Sequence, residues 1–122
     1  MAVEVDPFEA LDLWRRAQIA SVRGGGPDLS ARQLSVLLTV YMTPPPHTVR
    51  GLAALLEVSK PAITRALDRL SILGLARRKR DETDRRNVLV QRTVKGAVFL
   101  TDFAALIAAA AREAEPPHSA AA

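Results

Sequence analysis

The side chains with most to offer chemically lie between Ser59 and Arg92. Lys60, Thr64, Arg65 and Arg69 share one ten-residue window. Arg77-Arg78-Lys79-Arg80 follow, and then Asp84-Arg85-Arg86. These are hydrogen-bond donors and cations, and the chemistry they suit is recognition of a polyanion. An arginine can donate two parallel hydrogen bonds to guanine O6 and N7 in a major groove, which makes Arg65 the candidate base reader. Thr64 suits a thymine methyl or a phosphate. Lys60 suits phosphate rather than a base. Arg85 and Arg86 suit a narrow minor groove, where the potential is most negative. Residues along a strand alternate between its faces, so only part of the set Arg77 to Arg80, either Arg78 with Arg80 or Arg77 with Lys79, can reach one phosphate backbone. The plain alternatives are a surface ion pair of Arg65 with Asp68 or Asp84, and a solvated basic hairpin.

Charge placement sharpens this. The net charge is +4, but ten of the 17 Lys/Arg residues and only four of the 13 acids lie between Lys60 and Arg92, so that segment carries +6 and the remainder −2. A basic patch on a slightly acidic body is an electrostatic footprint for nucleic acid. Other classes find little support. There is no cysteine, hence no disulfide framework and no thiolate site. His47 and His118 are isolated, so no metal site and no cofactor are expected. Paired carboxylates, a Ser/His/Asp arrangement and a phosphate-cradling glycine loop are not evident, which argues against an enzyme. No basic run followed by an apolar block opens the chain, and no apolar run approaches the ~20 residues that span a bilayer. The expectation is a cytoplasmic protein with no membrane partner.

The elements that must position these residues can be read in order. Asp6-Pro7-Phe8-Glu9 marks a helix start, and the helix runs to about Val22 or Arg23. Phe8, Leu11 and Trp14 belong to more than one apolar stripe on it, so it is either clamped between two layers of its own chain or, as so small a domain favours, packed on a second subunit. Gly24-Gly25-Gly26-Pro27 is a linker. Ser30 and Gln33 form a capping box, with Leu29 and Leu34 as its hydrophobic staple. Leu34, Leu37, Leu38 and Tyr41 give the buried face of a helix ending near Met42, before Pro44-Pro45-Pro46. A short helix spans Thr48 to Leu56. Glu57 fills a turn slot where Gly is common. Ser59 caps the next helix, Pro61 sits in its first turn, and Ile63, Ala66, Leu67, Leu70 and Leu73 form its apolar face. Leu75 to Arg80 and Asn87 to Arg92 are predicted strands of a hairpin with a mobile tip. Thr93 caps a last helix running to about Glu115, with Phe99, Phe103, Leu106 and Ile107 in one stripe. Aromatics so spaced are core or interface more often than ligand pocket, so Trp14, Phe99 and Phe103 are assigned to an interface. The fold class is mainly α with a small β-hairpin. The expected plan is a dimerising segment 1–27, a helix-turn-helix with a wing over 28–93, a dimerising helix 94–115 and a disordered tail 116–122.

The order helix, helix, helix-turn-helix, hairpin, long helix resembles the MarR (multiple antibiotic resistance regulator) family of winged-helix regulators. The resemblance is carried by Leu29-Ser30-Ala31-Arg32-Gln33-Leu34, by Thr48-Val49-Arg50-Gly51-Leu52-Ala53 and by Val58 through Leu70. Leu73-Gly74-Leu75, Asp84-Arg85-Arg86 and Thr93-Val94-Lys95-Gly96 complete it. It implies a homodimer whose recognition helices occupy successive major grooves of a pseudo-palindrome, with wings at the flanking minor grooves. It implies DNA contacts from Ser59, Lys60, Pro61, Thr64 and Arg65; Arg69, Arg78 and Arg80 join them as candidates from the charge pattern. Arg85 and Arg86 would be the wing arginines, with Asp84 holding the wing by an ion pair. A small-molecule effector, bound between the DNA-binding and dimer regions, is a further partner known in the family. The chain departs from the family pattern in having room for one helix after the wing where two are usual. The competing reading is a winged-helix module that contacts another protein; it predicts a neutral or apolar face in place of Lys60, Thr64 and Arg65.

Overall fold

The computed structural model describes residues 4–113. The helix end near Glu115 and the tail 116–122 fall outside them. The elements are α1 (Pro7–Arg23), α2 (Ala31–Met42), β1 (His47–Thr48), α3 (Val49–Leu56), α4 (Lys60–Ile72), β2 (Ala76–Arg80), β3 (Val88–Arg92) and α5 (Val94–Arg112). They form two compact units. One is Pro27–Phe99; among the described residues the other is drawn from 4–26 and 100–113.

In the first unit, α2, α3 and α4 bury one apolar face each. Leu37, Leu52, Ile63, Leu67, Leu70 and Leu75 are fully buried, each contributing about 1.5–3 kcal/mol by leaving water. The face of α2 is turned from the expected one: Val36, Leu37 and Val40 are buried, while Leu34, Leu38 and Tyr41 are half-buried. The Tyr41 hydroxyl is held at the core's rim. It donates to Leu75 O at 2.7 Å and accepts from Thr93 N at 2.8 Å. Thr93 Oγ1 donates to Gly74 O at 2.7 Å and, as the cap of α5, accepts from Gly96 N at 2.9 Å. Gly74 adopts φ +75°, and a Cβ at Gly96 would overlap Tyr41 Oη and the Leu75 carbonyl. Both glycines of the Gly74 and Thr93-x-x-Gly96 motifs therefore have steric reasons.

The caps follow the sequence. Ser30 and Gln33 make the reciprocal capping box, and Ser59 accepts from Ala62 N. Glu57 closes α3 in the left-handed region, with φ 55°, a conformation costing a non-glycine residue about 1–2 kcal/mol.

The expected hairpin is part of a three-stranded antiparallel sheet in the order β1-β3-β2. The added strand pairs His47 with Val90 and Thr48 with Leu89. Two residues are too short to show alternation, and the preceding prolines read only as a breaker. The tip is hydrogen-bonded within itself. Asp81 accepts from Thr83 N at 2.9 Å and Thr83 Oγ1 at 2.7 Å. Asn87 N donates to Asp84 O at 2.9 Å.

In the second unit, Asp6 caps α1 by accepting from Phe8 and Glu9 N. Asp12 pairs with Arg15 at 2.9 Å and Arg16 at 2.8 Å; the hydrogen bonds from Arg16 and then Arg15 hold its carboxyl below the usual carboxylate range. Arg16 also donates to Glu113 O at 3.0 Å. Ala17 and Ala110 are buried. α5 corrects the expectation about membrane length: over an 18-residue window its mean hydropathy is 1.7, long and apolar enough to cross a bilayer. Asp102 stands near its centre, where a charge costs about 2.5–3.5 kcal/mol in hydrocarbon.

Candidate nucleic-acid interface

Helix α4 divides its residues cleanly. Ala62, Ile63, Ala66, Leu67 and Leu70 are buried, while Ser59, Lys60, Pro61, Thr64, Arg65, Asp68 and Arg69 are exposed. The outer strip is thus polar and cationic, and its first turn is pinned by the Ser59 cap and Pro61. Among the described residues, the Arg65 side chain makes no hydrogen bond or ion pair. Its guanidinium is unengaged and carried on a rigid element, which is the state a base-reading arginine needs.

The wing places its arginines unequally. Arg86 is held by Asp84: Nε to Oδ1 at 3.0 Å, Nη2 to Oδ2 at 3.2 Å, and the backbone N to Oδ1 at 3.1 Å. This fork is the bidentate geometry typical of arginine and carboxylate. It keeps the Asp84 carboxyl below the usual carboxylate range, Arg86 first and Arg50 contributing more weakly. Asp81, at the other side of the tip, is also shifted down, chiefly by the hydrogen bond from the Thr83 hydroxyl. Arg85 is exposed beside them.

Along β2 the alternation holds. Arg77 lies on the face of its cross-strand partner Gln91 and donates to Gln91 Oε1 at 3.2 Å. Arg78 lies opposite the buried Val90 and reaches Asp68 of α4, Nη1 to Oδ1, at 2.8 Å. Arg80 is exposed on the same face as Arg78.

Two residues change the count of available charge. Arg92, inside the basic segment, is structural: Nε donates to Val40 O at 2.8 Å and Nη2 to Thr43 O at 3.0 Å, with the guanidinium 5.8 Å from the Tyr41 ring centroid. It satisfies carbonyls that α2 leaves open at its C-terminus. Arg50, exposed in the first turn of α3, was not singled out from sequence, yet its charge acts on Asp84 of the wing. A lone arginine in an apolar helix gives no such signal until the fold brings α3 to the sheet.

The expected dimer residues lie on α1 and α5. Leu11 and Trp14 are exposed, at 57% and 46%, while Phe8, Phe99, Phe103, Leu106 and Ile107 are half-buried. Ile19 and Val22 add to the exposed apolar surface of α1. Two clefts, of about 370 and 490 Å³, are lined by neither Trp14, Phe99 nor Phe103. Among the described residues, no group of three His, Asp or Glu could hold a metal ion.

These features have counterparts in known proteins. A search of curated proteins gave no match. A MarR-family regulator from Rhodococcus sp. RHA1 is 30% identical over 80% of this chain and 66% of its own, with a TM-score of 0.63. The transcriptional repressor CouR, solved bound to a 23-mer DNA duplex, is 26% identical over 85% of this chain and 70% of its own, with a TM-score of 0.68. A transcriptional regulator from Thermotoga maritima shares the fold at 21% identity, covering 85% and 70%, with a TM-score of 0.70. The model of the MarR family matches residues 28–87, a span that holds the capping box of α2, the helix-turn-helix and the Asp84-Arg85-Arg86 wing; by that match and by its fold, the chain belongs to the MarR family of transcriptional regulators.

Proposed function

We propose that this chain is a sequence-specific, double-stranded-DNA-binding transcriptional repressor that binds a pseudo-palindromic operator as a homodimer. The observation that carries the reading is the outer strip of α4, where Arg65 stands exposed and unengaged beside Lys60 and Thr64. In this reading α4 enters the major groove and the wing meets the minor groove. Ser59, Lys60, Pro61, Thr64, Arg65 and Arg69 act from the helix. Arg85, Arg86 and Arg80 act from the wing, with Asp84 orienting Arg86. Arg50 joins them at the phosphate backbone. The DNA complex of CouR supports the reading by likeness.

The segments 1–27 and 94–115 supply the dimer contact, and 28–93 the DNA contact. The dimer is supported by apolar surface left open among the described residues: Leu11, Trp14, Ile19 and Val22 on α1, and an apolar α5 that is mostly unburied. Surface of this kind marks an interaction site, and a second copy of the same chain is the simplest partner. The protein-interaction alternative predicted a neutral or apolar face on α4, and the face is cationic.

The test is fluorescence anisotropy with a random-sequence 30-base-pair duplex at stepped salt. The reading expects binding at low salt, with log K falling linearly with log salt. No binding at 50 mM salt would contradict it.

A further inference from the structure

Asp68 is the one acid on the outer strip of α4. It lies three residues beyond Arg65 and four beyond Thr64, so all three side chains are neighbours on the helix surface. An acid there has a natural target, since aspartate and arginine at this spacing form ion pairs. That pair would remove the guanidinium that the proposed base contact requires. The structure shows a different pairing. Asp68 Oδ1 is taken by Arg78 Nη1 at 2.8 Å, with 54% and 33% of the two side chains exposed. Arg78 reaches it because β2 pairs Arg78 with the buried Val90, turning that side chain toward the core-facing side of the sheet. Arg77, one residue away, is engaged on the other face by Gln91.

We propose that Arg78 is a positioning residue for DNA recognition: it occupies Asp68 and so leaves Arg65 open to the bases, and it does not itself contact phosphate. This rests on the DNA-binding reading above. It removes Arg78 from the set of phosphate contacts and gives Asp68 a role that a count of charges would treat as a defect. The pair also ties the recognition helix to the first strand of the wing.

The experiment is a double-mutant cycle on the full chain. The probes are the inverted-repeat duplex recovered by selection from a random-sequence library and a random duplex of equal length. Arg78→Gln is expected to weaken binding to the selected duplex about three- to tenfold. The dependence of log K on log salt should stay as in the parent. In the Asp68→Asn background the same Arg78→Gln change should alter affinity less than about twofold, because no carboxylate remains to capture Arg65. This background also guards against misfolding, since it leaves no unpaired acid behind. Equal weakening in both backgrounds, with the salt slope reduced by about one, would make Arg78 a phosphate contact and overturn the proposal. No effect of Arg78→Gln in either background would overturn it as well. Failure of the parent to bind either duplex would instead sink the DNA-binding reading.

Discussion

In the proposed reading, recognition turns on Arg65. It projects from the outer strip of α4 with no partner among the described residues. Removing it takes away a bidentate donor and leaves the rest of the helix in place. Arg65→Ala should therefore weaken binding to the operator by about 1–3 kcal/mol and relax preference at one base position, with random-duplex binding little changed. Competition titrations against single-base variants of the operator check both effects. Asp84 makes a second prediction, about pH. Its carboxyl is shifted below the usual range by Arg86, so the folded pKa is below the unfolded value of about 3.9. The stabilisation is then fully present above that unfolded value and is lost as pH falls through the lower folded one. The wing's contribution to binding should be flat from pH 8 to about 5, and the backbone amide signal of Arg86 should move only below about pH 4. A midpoint for that signal near pH 6 would contradict the Asp84–Arg86 assignment.

Among the elements, the junction of α2, the α4–β2 turn and the start of α5 has the most demanding geometry. One tyrosine hydroxyl serves two backbone groups, and α5 starts so close to it that position 96 admits no Cβ. Gly96→Ala should destabilise the fold by about 1–3 kcal/mol through overpacking, even though alanine is the better helix former. Tyr41→Phe should cost about 1–3 kcal/mol, because the Leu75 carbonyl and the Thr93 amide lose a shared partner. Urea unfolding of the two variants measures both. This junction also shows how far the sequence could be read. Ser30, Ser59 and Thr93 were legible as caps because capping is a local rule of residue type and spacing. The apolar face of α4 was legible because its period is regular. The rotation of α2 was not, since Leu34 and Leu38 are as apolar as the residues buried in their place. The Tyr41 hydroxyl finds its acceptor 34 residues away. The strand His47–Thr48 and the structural role of Arg92 were hidden for the same reason: each depends on a partner distant in sequence. In the candidate interface, the cations were legible as a cluster, but their partners were not. Arg86 with Asp84 is local; Arg78 with Asp68 needed the fold.

For the whole molecule, the account requires two copies. The exposed apolar residues of α1 and the unburied length of α5 have no cover among the described residues. Trp14→Glu places a charge in the proposed contact and should convert a species of twice the chain mass into one of single mass, as sedimentation velocity would show. Operator affinity should fall with it, because a monomer engages one half-site and loses the effective concentration that a joined partner supplies. Circular dichroism of the variant should keep the helical signal if the winged unit folds without the dimer. The central claim is that the cationic face of α4 and the wing read one DNA sequence in two symmetric halves. Selection of purified protein against a random-sequence duplex library, washed at stepped salt, tests it most directly. The account predicts enrichment of an inverted repeat whose half-site centres lie about 10–10.5 base pairs, or a multiple, apart, retained at salt that releases random duplex. Retention of all sequences alike, lost together at moderate salt, would contradict it by leaving only phosphate attraction.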